Sequence, residues 1–415
     1  MPIFGDEAYY YVWSLRPQLS YFDHPGMVSW LIYLSDHIFP AASPLGLRFS
    51  FILLSLFTSF IWLRILQERE FSEKQITIFF SLMFLNPLLG IGSIVATPDV
   101  PLVFFWSLSY LFFSRLLKNR NLGAYIGLGI SLGLGFCSKY HIVLFVLSGL
   151  VALVFEKKWR QLRIPGVLLT LVSGLIFSLP VLIWNSRNQW SSFLFQINHG
   201  FGDDGFDLSW PLNYIFTQIM IMSPFLFYLL LMKIRSGDER WFGWSQLAFF
   251  LTSSFKSIVE GNWPITSHLH IMAATVPSVS GKIFRYILVN WLILYGIIIV
   301  FLLLPTSEKV RRNLINSAQL SDIYPLMSQY QPLYGASYQV ASLLSWKTNS
   351  FVPKLNELSR TDFFDSLPES TPAERDFYAL KYDYSAWPAK YDHYKKTYVR
   401  SFDKAGLELY HFTYE

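Results

Sequence analysis

Long runs of apolar residues constrain this chain more than any other feature of its sequence. A helix needs about 20 mostly apolar residues to cross the hydrocarbon core of a bilayer, and about ten segments meet that requirement. The chain has 415 residues, of which 53% are hydrophobic and only 15% are charged. A soluble globular protein has about 25% charged residues, so this chain lacks the charge to cover a water-facing surface. The sequence predicts a membrane protein with many helical spans.

The predicted spans are apolar segments bounded by polar or charged residues. They cover residues 45–65, 75–95, 100–117, 122–138, 140–155, 165–184, 210–232, 242–256, 265–281 and 286–304. A shorter apolar segment at 26–39 contains Asp36 and His37, so we interpret it as interfacial or re-entrant. The N-terminus shows no basic region followed by an apolar stretch, and we therefore expect no signal peptide.

The basic residues alternate between the two sets of connecting loops. One set holds fifteen of them, namely Arg64, Arg69, Lys74, Arg115, Lys118, Arg120, Lys157, Lys158, Arg160, Arg163, Lys233, Arg235, Arg240, Lys282 and Arg285. The positive-inside rule puts this set in the cytoplasm. The outer side is then expected to hold residues 1–44, 96–101, 185–209, 257–264 and everything after 305. The net charge of +5 thus reflects membrane orientation rather than binding to nucleic acid.

The composition changes after Pro305. Residues 306–415 lose the long apolar runs and become rich in charge and tyrosine, with candidate helices at 307–320, 336–346 and 388–405. A segment of this length is sufficient for a small domain. We predict an all-α polytopic membrane domain over residues 1–305 and a small, soluble, non-cytoplasmic domain over residues 306–415.

Carboxylates and histidines gather in the outer loops, where they are costly unless paired, hydrated or bound to a metal. They occur in the sequences Asp6-Glu7, Asp23-His24, Thr97-Pro98-Asp99 and Asn198-His199. Asp and Glu oxygens with a histidine nitrogen could hold a divalent cation such as Mg, Mn or Zn. A nearby carboxylate could act as a general base toward a hydroxyl group.

Several short motifs in these loops resemble one family of membrane enzymes. They are Asp6-Glu7-Ala8-Tyr9-Tyr10, Tyr21-Phe22-Asp23-His24-Pro25, Thr97-Pro98-Asp99-Val100-Pro101-Leu102, Ser138-Lys139-Tyr140 and Phe195-Gln196 to His199-Gly200. Together they resemble the bacterial membrane glycosyltransferases related to protein O-mannosyltransferases, family 39 and its relatives. That group includes the aminoarabinose and galacturonic acid transferases that modify lipid A. The resemblance implies a GT-C fold and a multi-pass protein of the bacterial inner membrane.

The resemblance also implies a reaction and a role for each motif residue. A sugar would move from a polyprenyl-phosphate donor, with inversion, to a hydroxyl of a lipid, glycan or protein on the periplasmic face. The implied catalytic residues are Asp6 (the general base), Glu7 and Asp99; the donor-binding residues are His24, Lys139 and Tyr9; the metal ligands are Asp23 and His199. Relatives have a transmembrane helix before the acidic pair, so we expect a domain that lacks this first helix.

Each motif also has a structural interpretation. Asp6 and Glu7 could be solvated charges, Asp23-His24-Pro25 a turn, and Thr97 or Asp99 a helix N-cap. Tyr9 and its aromatic neighbours could form an interfacial belt, and His199 could be an ordinary loop histidine.

Two other functions remain open. A transporter or flippase of lipid-linked sugars would place ionisable residues near the midplane of the membrane in broken helices. A catalytically inactive, truncated relative is the other alternative.

Overall fold

Helices make up most of the protein in a computed structural model that describes residues 1–39, 43–119, 121–201, 205–232, 237–303, 315–373 and 376–414. The described α-helices are α1 (Gly5–Ser14), α2 (Met27–Asp36), α3 (Pro44–Glu68), α4 (Glu73–Leu85), α5 (Asp99–Asn119), α6 (Leu122–Phe136), α7 (Val143–Phe155), α8 (Ile164–Arg187), α9 (Ser191–Phe201), α10 (Ser209–Met222), α11 (Pro224–Met232), α12 (Asp238–Ser253), α13 (Ile265–Thr275), α14 (Gly281–Leu303) and α15 (Tyr338–Thr348).

Within the described ranges, four helices are long and apolar enough to cross a membrane, namely α3, α5, α8 and α14. Two bent helix pairs raise the number to six if each pair is one span. The predicted count of about ten spans is therefore not confirmed, although a mostly helical membrane protein is. Several predicted spans are shorter helices. For example, α6 has 15 residues, which reach only about 22 Å along the helix axis.

Proline and a neighbouring polar residue lie at the break between the two helices of each bent pair. The helix α4 ends before Pro87, and the next helical segment turns away by 71°. Asn86 stabilises this break because its side-chain oxygen accepts a 3.0 Å hydrogen bond from the backbone nitrogen of Leu88. The helices α10 and α11 meet at 97°, where Ser223 has φ 78° and is followed by Pro224. A proline has no backbone N–H and cannot continue the helix that precedes it.

The helix α5 is an inner helix, and α8 and α14 form outer faces. In the most apolar stretch of α5, 67% of the residues are buried. In the corresponding stretches of α8 and α14, only 11% of the residues are buried. Exposed side chains on α8 such as Leu171 are apolar, as contact with lipid requires. Trp106 of α5 is fully buried, and its indole nitrogen donates to His270 of α13 at 2.8 Å. The residue that begins α5, Asp99, is thus fixed by a packed helix.

Small residues let α6 and α8 pack closely. A Cβ atom added at Gly129 would lie 2.0 Å from Ser173 Oγ and 2.4 Å from the backbone oxygen of Thr170. A Cβ atom added at Gly133 would lie 2.5 Å from the backbone oxygen of Gly174. Glycines four residues apart are a common means of close helix packing in membranes.

The C-terminal region contains a four-stranded sheet, whereas the sequence predicted only candidate helices there. The strands β1 (Leu333–Tyr334), β2 (Asp376–Tyr382), β3 (Tyr394–Phe402) and β4 (Leu407–Tyr414) lie in the order β1-β2-β4-β3, with β1 parallel to β2 and the other pairs antiparallel. The predicted helix at 388–405 is mostly β3, whose aromatic residues Tyr394, Tyr398 and Phe402 recur at every fourth position, a spacing that also fits one face of a helix. The predicted helix at 336–346 is confirmed as α15, while most of 307–320 lies outside the described residues.

The chain forms two compact units that do not follow the predicted boundary at residue 305. The first contains residues 1–18, 29–50 and 299–415, and the second contains residues 19–28 and 51–298. In the first unit, α1 packs on the C-terminal region. The Tyr11 hydroxyl donates to the Asn349 side-chain oxygen at 2.7 Å, and Arg16 pairs with Glu369 at 2.5 Å. The hydrogen bond from Arg16 lowers the pKa of the Glu369 carboxyl.

The close packing of α6 on α8 predicts a specific loss of stability. Gly129→Ala should lower the free energy of unfolding by about 1–3 kcal/mol, because the added methyl group overpacks the helix contact. Thermal or denaturant unfolding in detergent measures this change. Gly296→Ala in α14 is the matched control, since no atom lies within 4 Å of its added Cβ, and it should be neutral or stabilising. Equal stability of Gly129→Ala and the parent protein would contradict the packing.

Candidate functional site

The two acids at the start of α1 have opposite environments. Glu7 is fully buried, and its oxygens accept hydrogen bonds from Arg48 Nε at 2.7 Å and Arg48 Nη2 at 2.6 Å. Glu7 also accepts a hydrogen bond from the backbone nitrogen of Phe4 and so caps α1. Asp6 is exposed, and its Oδ1 accepts from the Tyr338 hydroxyl at 3.2 Å. Asp6 is therefore the acid of this pair that can reach a substrate, and Glu7 holds the helix.

Tyr9 is a packing residue in the same unit. Its side chain is only 2% exposed, and its hydroxyl accepts a 2.8 Å hydrogen bond from the backbone nitrogen of Phe363. Its ring lies 4.5 Å from the Tyr338 ring and 4.9 Å from the Trp13 ring, measured between centroids. These contacts place Tyr9 in an aromatic core, and its donor-binding role stays a prediction.

A buried polar cluster lies at the first residue of α5. Lys139 Nζ is 2.6 Å from Asp99 Oδ1, and Asn262 Nδ2 donates to Asp99 Oδ2 at 2.7 Å. Asp99 is 8% exposed, Lys139 is 6% exposed, and Asn262 is half-buried. Both carboxylate oxygens thus accept from side chains of other segments, which the N-cap interpretation of Asp99 does not require.

Burial of the Asp99–Lys139 ion pair costs free energy, so a purely structural role does not account for it. Removing two charges from water costs several kcal/mol per ion, and well-packed apolar residues often serve stability as well or better. Charged groups retained at membrane depth are functional-site candidates for this reason. The cluster also joins three segments that the sequence separates, since Asp99 begins α5, Lys139 follows α6 and Asn262 precedes α13.

The loop that contains Asp23 and His24 belongs to the same unit as this cluster. Asp23 is 4% exposed, and its backbone oxygen accepts a hydrogen bond from the Gln196 side chain of α9. His24 forms a turn in which its backbone oxygen accepts from the backbone nitrogen of Tyr21 at 3.1 Å. The end of this loop contacts the segment before Lys139, because the backbone nitrogen of Met27 donates to the oxygen of Cys137 at 3.0 Å. The turn interpretation of this motif is thus correct for its backbone.

An apolar cavity of about 360 Å³ adjoins these segments. Its wall is mainly aromatic and aliphatic. Three of the wall residues connect the cavity with the polar cluster and with the loop that contains Asp23. Tyr140 follows Lys139, Trp263 follows Asn262, and Gln196 donates to Asp23. The remaining lining residues are Phe136, His141, Val143, Leu144, Phe193, Ile197, Gly200, Phe249, Phe250 and Ser253.

The surroundings of Asp99 do not fit a divalent cation. An ammonium group and an amide N–H group already face its two oxygens, so a metal ion would meet the Lys139 charge directly. Among the described residues, no group of three or more His, Cys, Asp or Glu side chains could hold a metal ion. The side chain of His199 lies outside the described part of the chain. A cation site that involves His199 and Asp23 stays a prediction.

The predicted site residues fall in both units. Asp6, Glu7 and Tyr9 belong to the first unit, and Asp23, His24, Asp99 and Lys139 belong to the second. The structure brings Asp99 and Lys139 together directly. Sequence reasoning did not select three residues that make the decisive contacts, namely Arg48, Gln196 and Asn262. An arginine inside the predicted span 45–65 and an asparagine in a short loop predicted to lie outside were the available signals.

Comparisons with known proteins agree with this arrangement. A family model described as dolichyl-phosphate-mannose-protein mannosyltransferase matches residues 23–184. The lipid A galacturonosyltransferase RgtD of Rhizobium johnstonii is 23% identical over 279 residues, which cover 64% of this chain and 58% of RgtD. The chain is thus similar to the family 39-like membrane glycosyltransferases. The matched segment of the family model includes Asp23, His24, Asp99 and Lys139.

Two solved structures show that the chain has the GT-C fold. Both are of ArnT from Cupriavidus metallidurans, and each matches with a TM-score of 0.66. The structure bound to undecaprenyl phosphate is 14% identical and covers 98% of this chain and 92% of that chain. The apo structure is 15% identical and covers 99% and 93%. The chain spans 58% of the length of its family relative RgtD.

The contacts of Glu7 predict that its substitution affects stability first. Glu7→Gln should lower the free energy of unfolding by about 3 kcal/mol, because it leaves the buried Arg48 charge without a carboxylate. Unfolding in detergent provides the measurement. Asp6→Asn is the neighbouring control and should change stability by less than about 0.5 kcal/mol, since Asp6 is exposed. A Glu7→Gln variant as stable as Asp6→Asn would refute the structural role of the pair.

Proposed function

We propose that this chain transfers a sugar from a polyprenyl-phosphate donor to a hydroxyl group of a lipid or glycan at the outer face of the bacterial inner membrane. One observation carries the proposal. A buried ammonium group, paired with Asp99, lies in the segment that continues into the wall of an apolar cavity. This juxtaposition suits an amphipathic donor with one phosphate and a long hydrocarbon chain.

The apolar cavity is the proposed place of the isoprenoid chain. Its aromatic and aliphatic lining has few polar groups that a hydrocarbon chain would leave without partners. The solved structure of ArnT with undecaprenyl phosphate supports this donor class for the fold. The curated relative RgtD, a lipid A galacturonosyltransferase, supports a lipid acceptor.

Lys139 is the proposed partner of the donor phosphate. An ammonium group has three N–H donors, and Asp99 Oδ1 accepts one of them. Asn262 fixes the other oxygen of Asp99, so the carboxylate keeps the ammonium group in one position. A positive charge held in advance stabilises the negative charge that develops on a departing phosphate. This arrangement supplies charge compensation from the protein itself.

Asp6 is the proposed general base. Its carboxylate would take the proton of the acceptor hydroxyl while the acceptor oxygen attacks the anomeric carbon of the donor sugar. The bond from that carbon to the phosphate oxygen breaks at the same time, and polyprenyl phosphate leaves on the opposite side. A single displacement of this kind inverts the anomeric configuration. Exposure of Asp6 and burial of Glu7 support this division of roles.

The distribution of charge along α5 supports an outer location for the site. Asp99 begins this helix, and its last turns carry Arg115 and Lys118. Basic residues collect on the cytoplasmic side of membrane proteins. The first residue of α5 would then face the periplasm, where lipid A precursors are modified in the proposed reaction.

The donor-phosphate role of Lys139 predicts a loss of donor affinity. Lys139→Met combined with Asp99→Asn removes both charges without leaving one buried and unpaired, so the protein should fold. The affinity for undecaprenyl phosphate in detergent should fall by at least about tenfold, the usual value of a hydrogen bond to a charged group. Lys256→Met, which removes an exposed outer lysine, is the control and should bind like the parent. Parental affinity in the double variant would exclude Lys139 from the donor site.

The base role of Asp6 predicts a loss of turnover without a loss of donor binding. Asp6→Asn keeps the shape of the side chain but cannot accept a proton at neutral pH, so the transfer rate should fall by about 10²–10⁴-fold. Transfer from a polyprenyl-phosphate sugar to a lipid acceptor in proteoliposomes measures the rate. Asp403→Asn, an exposed acid in the turn before β4, is the control and should keep the parental rate. Transfer at the parental rate by Asp6→Asn would mean that another group is the base.

A further inference from the structure

A second cavity, of about 280 Å³, lies far from the Asp99 cluster. It is formed by the end of α3, the last turns of α5, the segment after α7 and the start of α12. Ser114 of α5 lines it, and this residue is 15 positions after Asp99 on the same helix. That separation corresponds to about 22 Å along the helix axis, which is most of the roughly 30 Å of the hydrocarbon core. The cavity therefore opens at the opposite membrane face, where the basic loops gather.

Ion pairs fix the wall of this cavity. Lys158 Nζ lies 3.0 Å from Asp238 Oδ1, and Arg69 lies 2.5 Å from Glu239. Arg69 also donates to Ser114 Oγ at 3.1 Å. These contacts join α3, α5, α12 and the segment after α7, so the polar wall is held in place before any ligand binds.

Two lining groups keep hydrogen-bonding capacity for a ligand. Lys118 is exposed and donates to the backbone oxygen of Glu68 at 3.0 Å, which uses one of its three N–H groups. Gln161 Oε1 is a buried acceptor that receives no hydrogen bond from the described residues. Buried acceptors without a donor are rare in folded proteins, and each needs an explanation. The cavity thus presents a cationic donor and an unsatisfied acceptor together.

We propose that this cavity binds the head group of a glycerophospholipid from the cytoplasmic leaflet. The lipid phosphate would accept hydrogen bonds from Lys118, and a head-group hydroxyl or ammonium would donate to Gln161 Oε1. Phosphatidylglycerol and phosphatidylethanolamine both carry this combination of an anion and a donor. Ile65, Leu111 and Leu117 form the apolar part of the wall, which suits the first carbons of an acyl chain better than a free phosphate compound.

The site is distinct from the proposed transfer site and does not depend on the proposed function. A lipid at this position would bridge helices α3, α5 and α12 and the segment after α7, and would stabilise the cytoplasmic ends of the second unit. Binding that favours the folded state raises the apparent stability with the logarithm of lipid concentration once that concentration exceeds Kd. Lipid binding can therefore be detected as a change in stability, without an assay of glycosyl transfer.

Native mass spectrometry of the full chain in detergent, titrated with short-chain phosphatidylglycerol, tests the proposal. Gln161→Met and Lys118→Met should each weaken binding by about tenfold, because each removes one partner of a charged or buried group. Lys74→Met is the control, since Lys74 is an exposed lysine of the same membrane face that does not line the cavity. It should bind lipid like the parent protein.

A second measurement separates the binding site from a structural role. Without lipid, Gln161→Met should be as stable as the parent, because its oxygen accepts no hydrogen bond there. With lipid, the parent and Lys74→Met should show a rise in melting temperature that Gln161→Met and Lys118→Met lose. Equal lipid binding by all four proteins would overturn the proposal. Binding of inorganic phosphate as tight as that of phosphatidylglycerol would also overturn it, because the ligand would then be a free phosphate compound.

Discussion

The hydrocarbon core of a bilayer offers no hydrogen bonds, and this constraint governs the whole second unit of the chain. Backbone groups must find partners within helices, and each break in a helix must be satisfied locally. The break after α4 meets this demand through Asn86, whose side-chain oxygen accepts from the freed backbone nitrogens of Leu88 and Leu89. Charges must likewise be paired or lie at a membrane boundary. The Asp99–Lys139 pair satisfies both conditions, and its retention in a buried place is what makes it a functional candidate.

The cost of burying an unpaired charge also separates the roles of two consecutive acids, Asp6 and Glu7, in the first unit. Successive residues of a helix point about 100° apart, so Asp6 and Glu7 cannot face the same surroundings. Glu7 points inward to the bidentate contact with Arg48, whose Nη2 also donates to the backbone oxygen of Pro2 at 2.8 Å. This clamp fixes the chain that leads into α1. The position of Asp6 therefore depends on a residue that does not itself take part in proton transfer.

The sequence predicted the class of the protein well and its three-dimensional partners poorly. Apolar runs identify helices such as α3 and α8 because lipid contact demands a continuous apolar surface. The same apolar runs overestimate the number of membrane spans. For example, α13 is apolar but has only 11 residues and lies inside the protein. Asp99 and Lys139 were recognisable by their outer loops and motifs. Arg48 and Asn262 were not, because a hydrogen-bond partner distant in sequence leaves no local pattern. The strand β3 was misread as a helix because its aromatic residues recur every four positions, which places them on one face of a helix as well as of a strand.

The helix α5 connects two polar ends through an apolar, packed middle. Its first residue, Asp99, contacts Lys139 and Asn262, and its last turns carry Ser114 and Lys118 beside the second cavity. Between them, Trp106 and Tyr110 are fully buried among the rings of Phe242 and His270. A rigid helix with this packing cannot shift one end without disturbing the other, because close-packed interiors do not deform continuously. A lipid bound in the second cavity would therefore act on the proposed donor site through the stability and position of α5.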